Sequence, residues 1–289
     1  MSEKRLEYDF ADKAWQVVVG CDNTIPCWKE CWAKRTVARL AGSPNEKTAA
    51  AHAGLVRIAG PADKQVLTWT GDVWINEAHL SDPLHWRQPA VIATGFHGDW
   101  GLLAEADKDR MWLVMTVCRR HQFFPLTKHR LPELVEYLEF VYPLPNVNIG
   151  ISVMTQADAD AAQPHIRVIS EMGWRVHCWH EPAIGPINWR GWEFLSWLVV
   201  GGQSGGDAPF DIQWAREAIA WGAANKVPVK IKQLGSKPYE RRVLGSAHIK
   251  GCDCDGRIYL SMPDRRGSDW DCWPADLRVR QLPEGLIHG

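Results

Sequence analysis

The sequence has no run of about 18 apolar residues that would span a bilayer, and its opening residues, with Glu3, Lys4, Arg5 and Glu7, lack the apolar stretch of a signal peptide. A membrane partner is therefore excluded and a cytoplasmic location is expected. The chain also lacks an excess of charge of either sign. Its formal net charge of -1 excludes the global electrostatic footprint of a nucleic-acid-binding protein. There is no low-complexity tract and no internal repeat beyond an alternation of strand-like and helix-like segments. Although the chain has 11 histidines, none forms the helical His-Glu pairing of a metallohydrolase.

What is present is ordinary in amount and unusual in kind. With 289 residues, 46% hydrophobic and 23% charged, the chain suits one large globular domain or a domain with an appendage. The 17 tryptophans are far above normal usage. Trp69, Trp74, Trp86, Trp100, Trp112, Trp192 and Trp197 lie within apolar patterns and most simply read as core, with a minority of the tryptophans left exposed for stacking on a flat substrate. The 8 cysteines cluster as Cys21, Cys27, Cys31 and then Cys252, Cys254, Cys272, with only Cys118 and Cys178 apart. In a reducing compartment such clustering points to metal or redox chemistry and away from a disulfide framework. One local basic strip, Lys230, Lys232, Lys237, Arg241 and Arg242, reads equally as a nucleic-acid contact or as a solvated face.

Short β-branched runs at Trp15 to Gly20, Val91 to Thr94, Gln122 to Leu126, Val147 to Val153, Arg175 to Trp179, Trp197 to Val200 and Val227 to Ile231 predict strands. Helical spacing predicts helices at Trp32 to Leu40, Asp107 to Arg120, Leu131 to Tyr142, Ala157 to Met172 and Ile212 to Ala224. In the second of these, Met111, Val114, Met115 and Cys118 mark a buried face. The alternation predicts an α/β fold, a partial parallel (β/α) barrel of the TIM-barrel kind, over residues 1–235. An insertion near 42–88 is placed to cover the site. A small C-terminal extension is expected over 236–289, where the pattern turns Gly- and Arg-rich.

The sharpest chemical signal is Gly20-Cys21-Asp22-Asn23-Thr24-Ile25-Pro26-Cys27-Trp28-Lys29-Glu30-Cys31-Trp32, which follows the first strand and leads into a helix. Three thiolates can hold three irons of a 4Fe-4S cluster and leave the fourth iron open, whereas a structural zinc site needs a fourth protein donor. Loops at the C-terminal ends of barrel strands are where active sites are built. Buried reduced cysteines, or a zinc knuckle closed by a distant histidine, are the alternative. For the second group, Cys252, Cys254 and Cys272 with His248 suggest an auxiliary metal site, but Gly251 to Gly256 reads better as a hairpin turn between two short strands.

The chain resembles the phage-encoded three-cysteine-motif proteins of unknown function, a family related to radical S-adenosylmethionine enzymes. The resemblance rests on the three-cysteine loop with Trp32-Ala33-Lys34-Arg35, on Pro83-Leu84-His85-Trp86, Leu126-Thr127-Lys128 and Pro143-Leu144-Pro145-Asn146-Val147, and on Glu181-Pro182 with Gly185-Pro186-Ile187. Further on it includes Val199-Val200-Gly201-Gly202-Gln203-Ser204-Gly205, Lys232-Gln233-Leu234-Gly235 and Trp273-Pro274-Ala275-Asp276-Leu277-Arg278-Val279-Arg280. Two features depart from the family pattern: three residues separate Cys27 from Cys31, and Gln203 stands where the family has glutamate.

The resemblance implies a radical enzyme of a bacterial host's phage, with a 4Fe-4S cluster on Cys21, Cys27 and Cys31 and S-adenosyl-L-methionine as cofactors. It also implies an external electron donor, and a small molecule or nucleotide as substrate, with a nucleobase or modified nucleotide of DNA preferred. Residues at strand ends are the implied cofactor contacts: Thr127, Ser152, Glu181, Gly201, Gly202, Gln203 and Ser204. Lys128 and Glu181 are the candidate catalytic pair and would serve as acid and base in a metal-free barrel enzyme. Plain roles compete at each position: a solvated lysine, an acid capping locally before proline, a tight βα turn. The rival function is a non-catalytic zinc-binding protein that contacts nucleic acid or a partner protein.

Overall fold

The structure, a computed structural model, describes residues 10–24, 31–241 and 256–286. Seven strands form one sheet, hydrogen-bonded in chain order: β1 (Lys13–Trp15), β2 (Val91–Thr94), β3 (Gln122–Thr127), β4 (Asn148–Val153), β5 (Arg175–His180), β6 (Trp197–Gly201) and β7 (Val229–Gln233). The pairs β1–β2, β2–β3, β5–β6 and β6–β7 are parallel. Every residue of β2, β4 and β6 is buried. This is the signature of parallel strands covered on both faces, and it explains why they read in the sequence as continuous apolar runs.

The helices of the described residues are α1 (Trp32–Ala41), α2 (Glu46–His52), α3 (Asp82–His85), α4 (Glu105–Val117), α5 (Leu131–Glu139), α6 (Gln156–Glu171) and α7 (Ile212–Asn225). In α4 the three-and-four spacing does what it predicts: Met111, Val114 and Met115 are buried, and Cys118 is buried just beyond the helix. No helix among the described residues is long and apolar enough to cross a membrane.

The chain divides into two compact units. The first comprises Met1–Gly150, Met172–Trp174 and Leu286–Gly289, and the second Ile151–Glu171 and Arg175–Gly285. In the first unit the expected strand Trp15 to Gly20 is in fact two. Lys13–Trp15 pairs with Val91–Thr94 in the large sheet, and Val18–Gly20 pairs in parallel with His97–Gly98 in a separate three-stranded sheet completed by Trp74–Ile75. Both partners break at the same level, one at Gln16-Val17 and the other at Gly95-Phe96, where Gly95 has a φ of +90°. A single apolar run therefore bends from one sheet into the next without losing its parallel neighbour.

The segment expected as an insertion carries a hairpin, Val56–Ala59 against Val66–Trp69, whose Leu55 and Trp69 join a buried cluster with Val19, Ala33 and Val37. In the second unit Phe210–Asp211, Pro238–Arg241 and Arg257–Tyr259 make a three-stranded sheet. The last two strands are antiparallel partners, as the hairpin reading requires. The turn itself, with Cys252 and Cys254, lies in 242–255, outside the described residues. The chain end then runs along β7, with Val279 O accepting from Ile231 N–H at 2.8 Å and Val229 O accepting from Gln281 N–H at 3.0 Å. This covers an edge that would otherwise expose unpaired backbone groups.

Candidate functional site

In the first unit the three-cysteine loop leaves Gly20, whose φ of +97° suits glycine alone. Gly20 is held at close quarters by Gly98: a Cβ there would come within 2.7 Å of Gly20 O. Only two backbones without side chains can pair this tightly, and the pairing fixes where Cys21 leaves the sheet. Asn23 anchors the loop to the insertion hairpin. Its amide nitrogen donates to Trp69 O at 2.8 Å, and its carbonyl oxygen accepts from Thr68 Oγ1 at 2.9 Å and Trp69 N at 3.2 Å. Cys21 and Cys31 are half-buried and pack against the same cluster of Val19, Ala33, Val37, Leu55 and Trp69. Cys27 lies outside the described residues.

The side chain beside Cys21 is His129, buried at 4% exposure and two residues past the end of β3. Its Nε2 is 3.5 Å from Cys21 Sγ, and its Nδ1 is 3.2 Å from Asp22 Oδ1 and 3.1 Å from Thr24 Oγ1. The ligand-type atoms of Cys21, Asp22 and His129 all lie within 4.8 Å of one another. Beneath the histidine is Asp99, also buried, which accepts from the Thr127 hydroxyl, from Lys128 N–H at 2.7 Å and from Gly101 N–H at 3.0 Å. Burial pushes the Asp99 carboxyl above the usual carboxylate range, opposed by the neighbouring His129 imidazole and by those three donors. Thr127 Oγ1 in turn accepts from His129 N–H at 3.1 Å. Asp99 and Thr127 thus fix the backbone of residues 127–129 and with it the direction of the imidazole.

This settles the surroundings of two expected residues. The Thr127 hydroxyl is engaged within the protein by Asp99 and His129. The Lys128 ammonium has no ion-pair or hydrogen-bond partner among the described residues.

The second unit gathers a different polar group at the ends of its strands. Glu181 directly follows β5 and is joined to Pro182 by a cis bond. Lys232 Nζ is 2.8 Å from both of its carboxylate oxygens, and Gln233 Nε2 donates to Oε1 at 2.5 Å and to Gly202 O at 3.0 Å. Lys232 Nζ also sits 4.9 Å from the centre of the Trp179 ring. Ser152 Oγ donates to Glu181 O at 3.0 Å. The Gly-rich turn is itself well bonded: Gly202 N–H donates to Gln233 O at 3.0 Å, Gly205 N–H to Ser236 Oγ at 2.7 Å, and Ala208 N–H to Gln203 Oε1 at 2.9 Å. The amides of Gly202 and Gly205 are therefore spent on the fold, as in a tight βα turn, while Ser204 is exposed.

A family model described as a protein of unknown function, DUF5131, matches residues 5–263. The chain belongs to the DUF5131 family. No curated protein and no solved structure matches it.

In this DUF5131 chain the basic strip expected from the sequence is not a free charged surface. Lys230 is 2% exposed, Lys232 is bound to Glu181, Lys237 pairs with Asp207 at 2.7 Å and Arg241 with Asp211 at 3.2 Å, while Arg242 is outside the described residues. Strand β7 buries Lys230, and Lys232, Lys237 and Arg241 each face a carboxylate. The tryptophan reading holds for Trp69, Trp100, Trp112, Trp192 and Trp197, which are buried, whereas Trp74 and Trp86 are half-buried. The sequence reading passed over His129, Asp99 and Asp22. His129 was within reach, since it is a ligand-type residue beside Thr127 and Lys128 at a strand end. Asp99, after a two-residue strand, left no such signal.

Proposed function

We propose that this chain is a radical S-adenosylmethionine-type iron–sulfur enzyme built on a partial (β/α) barrel, with its cluster on Cys21, Cys27 and Cys31. One observation carries the reading: a three-cysteine loop leaves the parallel-paired strand Val18–Gly20, and its Cys21 and Cys31 lie half-buried against one apolar cluster. The donors fit the group, because thiolates are the ligands iron–sulfur clusters take, and the sequence offers three of them within one loop. Bound together, such a cluster and S-adenosylmethionine supply a carbon radical able to take hydrogen from an unactivated position.

The protein's own residues set the environment. Val19, Val37, Leu55 and Trp69 are almost fully buried behind the two thiols and exclude water from that side. Asn23 holds the loop to the hairpin, and Asp99 with Thr127 holds the neighbouring strand end. In the second unit Glu181, with its charge balanced by Lys232, is suited to accept from a hydroxyl or an amine of a small ligand, and Gln233 fixes its orientation. With Lys230 buried and Lys232, Lys237 and Arg241 ion-paired, the substrate proposed is a small molecule or nucleotide and not duplex DNA.

Anaerobic reconstitution followed by iron and sulfide analysis tests the reading, together with an assay for 5′-deoxyadenosine from S-adenosylmethionine and a strong reductant. About four irons per chain and reductive cleavage, both lost in the triple Cys21→Ala, Cys27→Ala, Cys31→Ala variant, are expected. Stoichiometric zinc with no cleavage would overturn it.

A further inference from the structure

The geometry at His129 points to a second use of Cys21. Asp22 Oδ1 accepts from Thr24 N–H at 3.0 Å and from the Thr24 hydroxyl at 2.7 Å, and it faces His129 Nδ1 at 3.2 Å. A carboxylate only accepts, and the threonine proton is already directed at Asp22, so Nδ1 is the nitrogen that carries hydrogen. Nε2 then turns its lone pair toward Cys21 Sγ, 3.5 Å away. A Cys21 thiol donates its proton to that lone pair, and a cation can take the place of the proton between sulfur and nitrogen. The separation also fits one. With metal bonds of about 2.3 Å to sulfur and about 2.05 Å to nitrogen, a tetrahedral angle puts the two ligands about 3.5 Å apart.

We propose that Cys21 and His129 are two ligands of a mononuclear tetrahedral site for a zinc-type ion, with Asp22 as the carboxylate that orients the histidine from behind. This is the carboxylate–histidine–metal arrangement that fixes tautomer and ring direction. Cys31 packs on the same apolar cluster as Cys21, but the ligand-type atoms that lie within 4.8 Å of one another are those of Cys21, Asp22 and His129. Asp99, with Oδ2 at 4.0 Å from Nε2, adds a buried carboxylate beside the ion. An iron held by Cys21 within a cubane cluster already has three sulfides and one thiolate and leaves no position for His129. Zinc and the cluster therefore exclude each other at Cys21, and zinc bound here blocks cluster assembly. The inference stands on the Cys21–His129 geometry and does not depend on the radical reading.

The test uses the full chain stripped of metal under anaerobic conditions. Zinc affinity is measured by competition with a chromophoric chelator, and cobalt(II) serves as the spectroscopic probe. We expect one tight zinc per chain, a cobalt spectrum with tetrahedral bands and thiolate charge transfer, at least 100-fold weaker zinc binding in His129→Ala, and 10- to 100-fold weaker binding in Asp22→Asn. His129→Cys keeps a ligand at this position and should restore tight binding with added thiolate charge transfer, which separates ligation from misfolding. Unchanged zinc affinity in His129→Ala would overturn the site, as would a cobalt spectrum without tetrahedral thiolate features. Iron and sulfide uptake by the same proteins reports separately on the radical reading. Should the wild type take up no iron–sulfide, that reading fails while the zinc site stands or falls on the affinities alone.

Discussion

Replacing His180 by glutamine should remove much of the protein's sensitivity to mild acid. His180 ends β5, is 1% exposed, sits edge-on to Trp189 with ring centres 5.8 Å apart, and directs Nε2 at Met154 O at 3.2 Å. Burial lowers its pKa from 6.5 to about 4, only partly opposed by the Met154 carbonyl. In the unfolded chain the same imidazole takes a proton near its ordinary value. As the pH falls below 6.5 the unfolded state therefore binds the proton first, and stability is lost progressively until the folded state also protonates at about 4. Integrated over that window, the difference is worth about 3 kcal/mol, a large part of the typical stability of a domain. Glutamine keeps a donor for Met154 O and does not titrate. Urea unfolding of both proteins from about pH 7.5 to about pH 4 checks the reasoning. His97, lowered to about 4 mainly by burial, titrates equally in both and cancels in the comparison. The wild type should lose about 3 kcal/mol more than His180→Gln across the range. Parallel pH dependences would refute the reasoning.

Asp99→Ala leaves the Thr127 hydroxyl and the N–H groups of Lys128 and Gly101 without their buried acceptor, and should cost about 3 kcal/mol in a denaturant titration. A loss below about 1 kcal/mol would show that the network does not hold the strand end. Gly98→Ala forces a Cβ to within 2.7 Å of Gly20 O and should destabilise the first unit by about 1–3 kcal/mol, with loss of cobalt(II) binding at Cys21. Retention of both would show that the pairing of Val18–Gly20 with His97–Gly98 does not position the loop. Wild type and the Lys237→Gln, Arg241→Gln double variant should behave alike in a DNA mobility-shift titration, because both cations are already paired with acids. A salt dependence of DNA binding that falls by about two in the double variant would refute this.

The patterns that were legible in the sequence are those whose physical cause is local. Val91 to Thr94 forms a strand over those very residues, and α4 buries Met111, Val114 and Met115, because apolar runs and helical spacing report burial directly. The bend at Gln16-Val17 was not legible, since Trp15 to Gly20 reads as one apolar run until Gly95 in the partner strand allows both chains to break together. The strands flanking the last hairpin were legible from turn residues, although the turn lies outside the described residues.

By itself the sequence determined an α/β chain with a parallel sheet, a buried tryptophan-rich core and one loop carrying Cys21, Cys27 and Cys31, because each is set by neighbours along the chain. Only the tertiary structure decided what stands beside that loop. His129 is 108 residues from Cys21, and Asp99 lies 29 residues from Lys128, whose amide it holds. The charge strip shows the same division: composition counts Lys230, Lys237 and Arg241 as basic, but which cation is buried and which faces an acid depends on strand orientation and on loops that meet only in the folded chain. Contacts between residues so far apart in sequence depend on how the strands pair, and no local pattern records that pairing.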